Sequence, residues 1–151
     1  IFIAEEMIQS HAKISLQQHC LYYLLRNAIA GKTQWKSGEE AHNFAADCSL
    51  LFSLAAQSSA AEYEQAELIF KTCVNNKLLA TTTFVATEAI NLQQTSAMFM
   101  HLAKMRPVLK EAVLSTTLAM ILRDKKITPA EKMLIKTLCT SFDCPLPLEM
   151  T

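Results

Sequence analysis

The chain has 151 residues, 51% of them hydrophobic, and its 14 basic and 14 acidic side chains give a formal net charge of zero. This length and apolar content suffice for one sizeable core, which predicts a single domain over residues 1–151. The balanced charge provides no overall positive field to attract nucleic acid, so nucleic acid is excluded as an expected partner. With only two glycines and four prolines, the composition favours an all-α bundle of six to eight helices.

The N-terminal segment IFIAEEMIQSHAK is amphipathic from its first residue and predicts a leading helix over residues 2–11. It has neither an initiator Met nor a signal-peptide pattern, so we expect Ile1 to lie inside a longer protein. Ser15 then precedes a helical apolar pattern, and Gln18 follows three residues later. This spacing predicts a capping box at the start of the next helix and completes a first hairpin at about residues 1–30.

The middle of the chain, residues 37–104, is expected to contain further helices. Apolar residues at steps of three and four after the turn at Ser37–Gly38 predict one helix, and a similar pattern predicts a second helix that packs antiparallel to it. The two sets are Phe44, Cys48, Leu51, Phe52 and Ala55, and Tyr63, Ala66, Ile69, Phe70 and Cys73. The segment LLATTTFVATEAI is rich in β-branched residues and is expected to be an irregular connector. Helical patterning resumes in NLQQTSAMFMHLAKM through Leu92, Phe99, Leu102 and Ala103.

A second hairpin is predicted over residues 107–143. Pro107 opens the segment PVLKEAVLSTTLAMILRD, whose apolar content indicates a helix to residue 123. Thr128 is followed three residues later by Glu131, which predicts a second capping box, and Pro129 occupies the first helical position.

The two capped helices begin with similar sequences, KISLQQHCLYYLL and KITPAEKMLIKTL, 113 residues apart. In this alignment Ile14 matches Ile127, and each helix has leucines at the same two places: Leu21 and Leu25 in the first, Leu134 and Leu138 in the second. A single repeat at such a long interval indicates a duplicated hairpin rather than an array of repeats.

Charge is unevenly distributed along the chain. Residues 37–70 contain six acidic and no basic side chains, whereas residues 104–136 contain eight basic and three acidic ones. We expect two solvated faces that attract each other within the fold; the alternative is a basic face near anionic lipid. The candidate interaction surface consists of Lys104, Arg106, Lys110, Arg123, Lys125, Lys126, Lys132 and Lys136.

No catalytic or cofactor-binding residue is predicted. The His-Glu-x-x-His pattern of zinc peptidases is absent, and the four histidines, at positions 11, 19, 42 and 101, lie far apart in the sequence. Asp124 and Glu131 are weak candidates for a metal site, because the turn between them lacks the alternating oxygen ligands and central Gly of a calcium loop. Lys125 and Lys126 occupy places where a cation would be repelled.

The five cysteines, Cys20, Cys48, Cys73, Cys139 and Cys144, form no C-x-x-C pair. Their odd number and apolar positions favour reduced thiols in a cytosolic compartment. Cys139 and Cys144 are possible metal ligands, but a metal site is not expected because no second Cys/His pair has ligand spacing. No apolar run approaches the length of about 18 to 20 residues that a membrane span requires.

The segment LAMILRDKKITPAEKMLIKTLCTSFDCPLPLE resembles the C-terminal end of HtpX-like membrane zinc metallopeptidases. That region typically has a helix, an Asp-Gly-x-Ile turn, a Glu-bearing helix and a closing Cys-Pro-x-Pro, and its two hairpins look like those of tellurite-resistance TerB-like domains. The similarity is strongest over residues 107–148 and weaker over 1–30. Lys125 stands where the family has Gly, and His11 and Ala12 stand where the first copy would have Asp-Gly. These departures argue against metal binding by this chain.

The resemblance implies a non-catalytic C-terminal domain of a bacterial, membrane-associated zinc metalloendopeptidase, with a regulatory, substrate-positioning or partner-binding role. Zinc would be held upstream of Ile1. The expected partners are the upstream peptidase and membrane segments, and then a membrane surface or another protein. The expected location is the cytoplasmic side of the inner membrane, as a soluble domain. The alternatives are an independent TerB-like stress-response or metal-sensing module, and a self-contained enzyme with a cluster of titratable groups that the sequence does not predict.

Overall fold

The computed structural model of the protein describes residues 14–30, 44–60, 62–87, 90–123 and 126–146. These ranges contain six α-helices and no β-strand: α1 (Leu16–Ala30), α2 (Ala45–Ser59), α3 (Tyr63–Cys73), α4 (Leu92–Leu102), α5 (Pro107–Leu122) and α6 (Pro129–Phe142), with a short 3₁₀ helix at Lys77–Leu79 between α3 and α4. The predicted all-α helical bundle is therefore confirmed. The predicted helix over residues 2–11 and the turn at Ser37–Gly38 lie outside the described residues. None of the described helices combines the length and the hydropathy that a membrane-spanning segment requires.

Both predicted capping boxes are present. The Ser15 hydroxyl accepts a hydrogen bond from the backbone N–H of Gln18 at 3.2 Å, and the Gln18 side chain accepts one from the N–H of Ser15 at 2.8 Å. Thr128 and Glu131 make the same reciprocal pair at 3.2 and 2.9 Å. Each box satisfies backbone donors that the first turn of a helix leaves unpaired, which is why the helices begin where the sequence predicts.

The core is one cluster of buried side chains drawn from all six helices. Helix α2 lies at its centre and packs against each of the other five. Its buried residues fall on most of its circumference, from Cys48 to Ala56, as expected for a helix enclosed on several sides. Phe52 of α2 is fully buried and meets the ring of Phe70 of α3 edge-on, with the ring centroids 6.4 Å apart.

Helix α1 packs against α4 and α6, so distant parts of the chain are brought together. The rings of Tyr23 in α1 and Phe99 in α4 lie 5.0 Å apart, and the Ser141 hydroxyl of α6 donates to the phenolic oxygen of Tyr23 at 3.0 Å. Tyr23 therefore links three helices.

A connector between the 3₁₀ helix and α4 is held against α2 by a ladder of side-chain hydrogen bonds. The N–H of Thr83 donates to the Ser49 hydroxyl at 2.9 Å, and the N–H of Val85 donates to the Ser53 hydroxyl at 3.0 Å. The Gln57 amide donates to the carbonyl of Val85 at 2.8 Å. Four residues of α-helix rise about 6.0 Å and two residues of extended chain span about 6.6 Å, so a helix with polar groups every fourth residue matches alternate residues of the connector.

The side chains of this connector also contribute to packing. Phe84 lies 5.0 Å from the ring of Tyr63 and 5.5 Å from that of Phe70, both in α3. The connector has no regular helix between Thr82 and Thr87, as predicted from its β-branched residues. The first two residues of the segment predicted to be irregular, Leu78 and Leu79, lie instead in the 3₁₀ helix. The connector nevertheless has a defined position across α2 and α3.

The sequence match between the two capped helices does not extend to their environments. Leu21 and Leu25 of α1 are 43% and 40% exposed, whereas Leu134 and Leu138 of α6 are fully buried. A capping box determines where a helix begins, but not which of its faces turns toward the core. The difference follows from packing, because α1 turns the face that contains Cys20 toward the bundle.

Candidate interaction surface

The predicted basic residues lie mainly at the two ends of the paired helices α5 and α6. Arg106, at the start of α5, and Arg123, at its end, are exposed, as are Lys126, Lys132 and Lys136; Lys104 and Lys110 are half-buried. Lys125 lies outside the described residues. Lys110 and Arg123 are 13 residues apart on α5, or about 20 Å along the helix axis. The basic side chains therefore do not form one compact patch.

Lys132 and Lys136 form the clearest basic group on the outer face of α6. They are one helical turn apart and both are exposed. Like charges at this spacing destabilise a helix by about 0.2–0.5 kcal/mol. An anionic group bound between them would remove this repulsion, so the pair suits an acidic partner.

A cleft of about 310 Å³ lies between the start of α5 and the end of α6. Its lining is mostly apolar, with one lysine and one glutamate: Pro107, Lys110, Glu111, Leu114, Phe142 and Cys144. The Lys110 ammonium lies 5.8 Å from the centre of the Phe142 ring, a cation–π arrangement. The cleft could accept an apolar side chain while Lys110 contacts an acidic neighbour.

A second, more open cleft of about 400 Å³ lies at the C-terminal end of α6. Its lining residues are Lys136, Cys139, Thr140, Asp143, Cys144 and Leu146. Lys136 thus belongs both to the basic face of α6 and to this second cleft, and Cys144 lines both clefts.

Glu131, a weak metal candidate in the sequence, is turned into the protein. It is only 3% exposed, and its two carboxylate oxygens accept hydrogen bonds from the N–H of Thr128 and from the Ser59 hydroxyl, the latter at 3.0 Å. Glu131 thus ties the start of α6 to the end of α2. Asp124, the other candidate, lies outside the described residues. The part of the chain that the structure describes contains no group of three or more His, Cys, Asp or Glu side chains able to hold a metal.

The two described histidines both have partners. Nδ1 of His19 lies 2.7 Å from the Thr95 hydroxyl, and burial lowers the pKa of His19 to about 4. Nδ1 of His101 lies 3.3 Å from the Asp47 carboxylate. His19 therefore remains neutral and serves the packing of α1 against α4.

Most of the described cysteines are unreactive by burial. Burial raises the pKa of both Cys20 and Cys48 to about 12. Burial also raises the pKa of Cys73, and the Arg123 guanidinium opposes that shift. Cys139 and Cys144 differ from these three because their side chains interact with each other. In the sequence, these two residues stand out only as possible metal ligands.

No protein-family model matches the chain, and comparisons with curated proteins and with solved structures find no match either. The resemblance to HtpX-like peptidases therefore rests on the sequence motifs near the end of the chain.

Proposed function

We propose that this chain is the non-catalytic C-terminal region of a membrane-associated zinc metalloendopeptidase, and that its α5–α6 pair contacts the substrate or a partner protein. The assignment to the peptidase class depends on the resemblance over residues 107–148. The proposed binding role also draws support from the distribution of charged and apolar groups on α5 and α6.

The main support for the binding role is the distribution of charged side chains between the inner and outer faces of α6. The one acidic side chain in its first turn, Glu131, is buried against Ser59, whereas Lys132 and Lys136 face solvent. The outer face consequently lacks a neutralising carboxylate in the helix itself until Asp143 at its end. Such a face favours an acidic segment of another polypeptide.

The clefts add an apolar element to this surface. An acidic residue of the partner would contact Lys132 and Lys136, and an apolar residue would enter the cleft beside Phe142. Lys110, at the rim of that cleft, would contact a further acidic group. The zinc ion and the catalytic glutamate of the proposed peptidase would lie in the sequence upstream of Ile1.

The size and fractionation of the native gene product test the peptidase assignment. An antibody raised against this chain should detect, in a cell extract, a band much larger than the chain's own 16.8 kDa that is extracted only by detergent. A soluble band near 16.8 kDa would overturn the peptidase assignment and favour the independent TerB-like module.

A charge-reversal variant tests the binding role in the native, detergent-extracted protein. We expect Lys132→Glu/Lys136→Glu to raise the KM for a protein substrate several-fold with little change in kcat, because peripheral charges chiefly affect encounter with the partner. Lys71→Glu/Lys77→Glu, at exposed positions on α3 and the 3₁₀ helix, is the matched control. Equal effects in the two variants would show that net charge, rather than the α6 face, is responsible.

A further inference from the structure

The chain folds back at the end of α6 and brings two cysteines together. Asp143 adopts a left-handed conformation, with φ 53° and ψ 42°, and its N–H donates to the carbonyl of Cys139. The N–H of Cys144 donates to the same carbonyl at 3.1 Å. This is the Schellman type of helix end, in which the residue after the left-handed position contacts the last turn of the helix. Here both contacting residues are cysteines.

The side chains of Cys139 and Cys144 interact with each other and line the same cleft, but they differ in environment. Cys139 is 5% exposed, whereas Cys144 is half-buried and lines both clefts. Burial, together with the hydrogen bond to Cys144 and the interaction with its charge, raises the pKa of Cys139 to about 12. Cys139 therefore remains a thiol and can donate its S–H to the sulfur of Cys144.

This arrangement distinguishes a nucleophile from a resolving cysteine. The clefts do not add a clear electrostatic preference, because Lys110 is accompanied by Glu111 in one and Lys136 by Asp143 in the other. What favours first reaction at Cys144 is its greater exposure and its place in the walls of both clefts, because accessible thiols are oxidised before buried ones.

We propose that Cys144 and Cys139 form a reversible, peroxide-sensitive dithiol, in which Cys144 reacts first and Cys139 resolves it. The Cys144 thiolate attacks one oxygen of a small hydroperoxide, the O–O bond breaks, and sulfenic acid and hydroxide form. Cys139 gives up its proton to the hydroxide, and its sulfur attacks the Cys144 sulfur and displaces the sulfenic oxygen as water once protonated. For hydrogen peroxide, two thiols are oxidised to one disulfide and the peroxide is reduced to two water molecules.

The disulfide would fix the backbone turn that already ends α6. Disulfide formation requires Cβ atoms about 3.5–4.5 Å apart, and the turn at Asp143 already brings the backbones of the two cysteines together through a hydrogen bond of 3.1 Å. Because Cys144 lines both clefts, oxidation would also alter their shared wall. The inference does not depend on the peptidase assignment.

Peptide mapping of the whole chain tests the proposal directly. No Lys or Arg lies between Lys136 and Thr151, so trypsin cleavage after Lys136 leaves both cysteines in a single peptide. After reduction, the protein is treated with a small excess of hydrogen peroxide, and the remaining thiols are alkylated. We expect this peptide to lose the mass of two hydrogen atoms, to resist alkylation until a reductant is added, and to react at least about tenfold faster than the peptide containing Cys73.

Two variants separate the roles of the thiols. Cys139→Ser should leave Cys144 as a sulfenic acid that dimedone traps, whereas Cys144→Ser should leave Cys139 alkylatable; circular dichroism checks that both variants fold. Cys73→Ser is the control and should oxidise like the wild type. The proposal is overturned if the wild-type peptide remains fully alkylatable, if Cys73 reacts as fast, or if the disulfide links two chains on a non-reducing gel.

Discussion

His19 shows how burial changes the chemistry of one side chain. It is 1% exposed, its hydrogen-bond partner is Thr95, and burial lowers its pKa from 6.5 to about 4. In the unfolded chain its pKa returns to the ordinary value. Between pH 6.5 and about 4, the unfolded chain therefore binds a proton that the folded chain does not, and acidification favours unfolding.

We expect the free energy of unfolding to contain a His19 contribution that is fully present above pH 6.5 and lost as the pH falls toward 4. The loss should reach about 3 kcal/mol, since one pKa unit corresponds to about 1.4 kcal/mol. His19→Asn, which retains an amide near Nδ1, should lack this contribution. Urea unfolding of both proteins at a series of pH values measures the difference.

His101→Asn provides the control for this measurement. His101 is only partly buried, and the difference between its variant and the wild type gives the background against which the His19→Asn difference is compared. Because carboxylates titrate in the same range, the comparison uses differences between proteins at each pH. Identical pH profiles for the wild type and His19→Asn would contradict the assignment.

Glu131 shows that local sequence patterns predict some contacts of a residue and not others. Its position three residues after Thr128 predicts a capping box, and the structure confirms it. Its burial against Ser59 depends on a contact between residues 72 positions apart, which local patterns do not encode. The contact of Cys139 with Cys144 escaped prediction for a related reason, because it requires a left-handed Asp at position 143.

At the scale of elements, the connector from Thr82 to Thr87 is defined by polar groups on α2 rather than by its own backbone pairing. Its β-branched composition predicts the absence of a helix, but not the ladder from Ser49, Ser53 and Gln57. The sequence shows that α2 has a polar residue at every fourth position of an otherwise apolar helix. It does not show which segment of the chain lies across that face and binds those residues.

Ser53→Ala tests this ladder. Ser53 is fully buried, and the substitution leaves the N–H of Val85 without its partner. We expect the free energy of unfolding to fall by about 1 kcal/mol, the lower end of the cost of an unsatisfied donor, because the Ser53–Val85 hydrogen bond is only partly buried. Amide hydrogen exchange at Val85 should accelerate more than exchange in α6.

Ser58→Ala is the matched control, since Ser58 lies on an exposed position of the same helix. It should change stability by less than about 0.5 kcal/mol, as most exposed substitutions do. If Ser53→Ala were equally mild and left exchange at Val85 unchanged, the ladder would not be what holds the connector.

At the scale of the whole molecule, the sequence predicted the helices better than their arrangement. Apolar spacing located the buried faces of α2 and α4, including Phe52 and Phe99. Which helices pack against each other is harder to predict from the sequence. For example, α1 and α6 are neighbours although more than 90 residues separate them in the chain. The first turns of α1 and α6 are similar in sequence, and this similarity does not indicate that the two helices turn different faces toward the core.

Leu25 and Leu138 make this difference measurable, because they occupy the same place after their respective caps. Leu138 is fully buried, so Leu138→Ala removes apolar contacts and leaves a cavity, and we expect a loss of about 2–5 kcal/mol in the free energy of unfolding. Leu25 is 40% exposed, and Leu25→Ala should cost less than about 1 kcal/mol. Chemical denaturation of the two variants supplies the comparison. Equal losses would mean that the repeated leucines have equivalent packing roles, and that the two capped helices face the core in the same way.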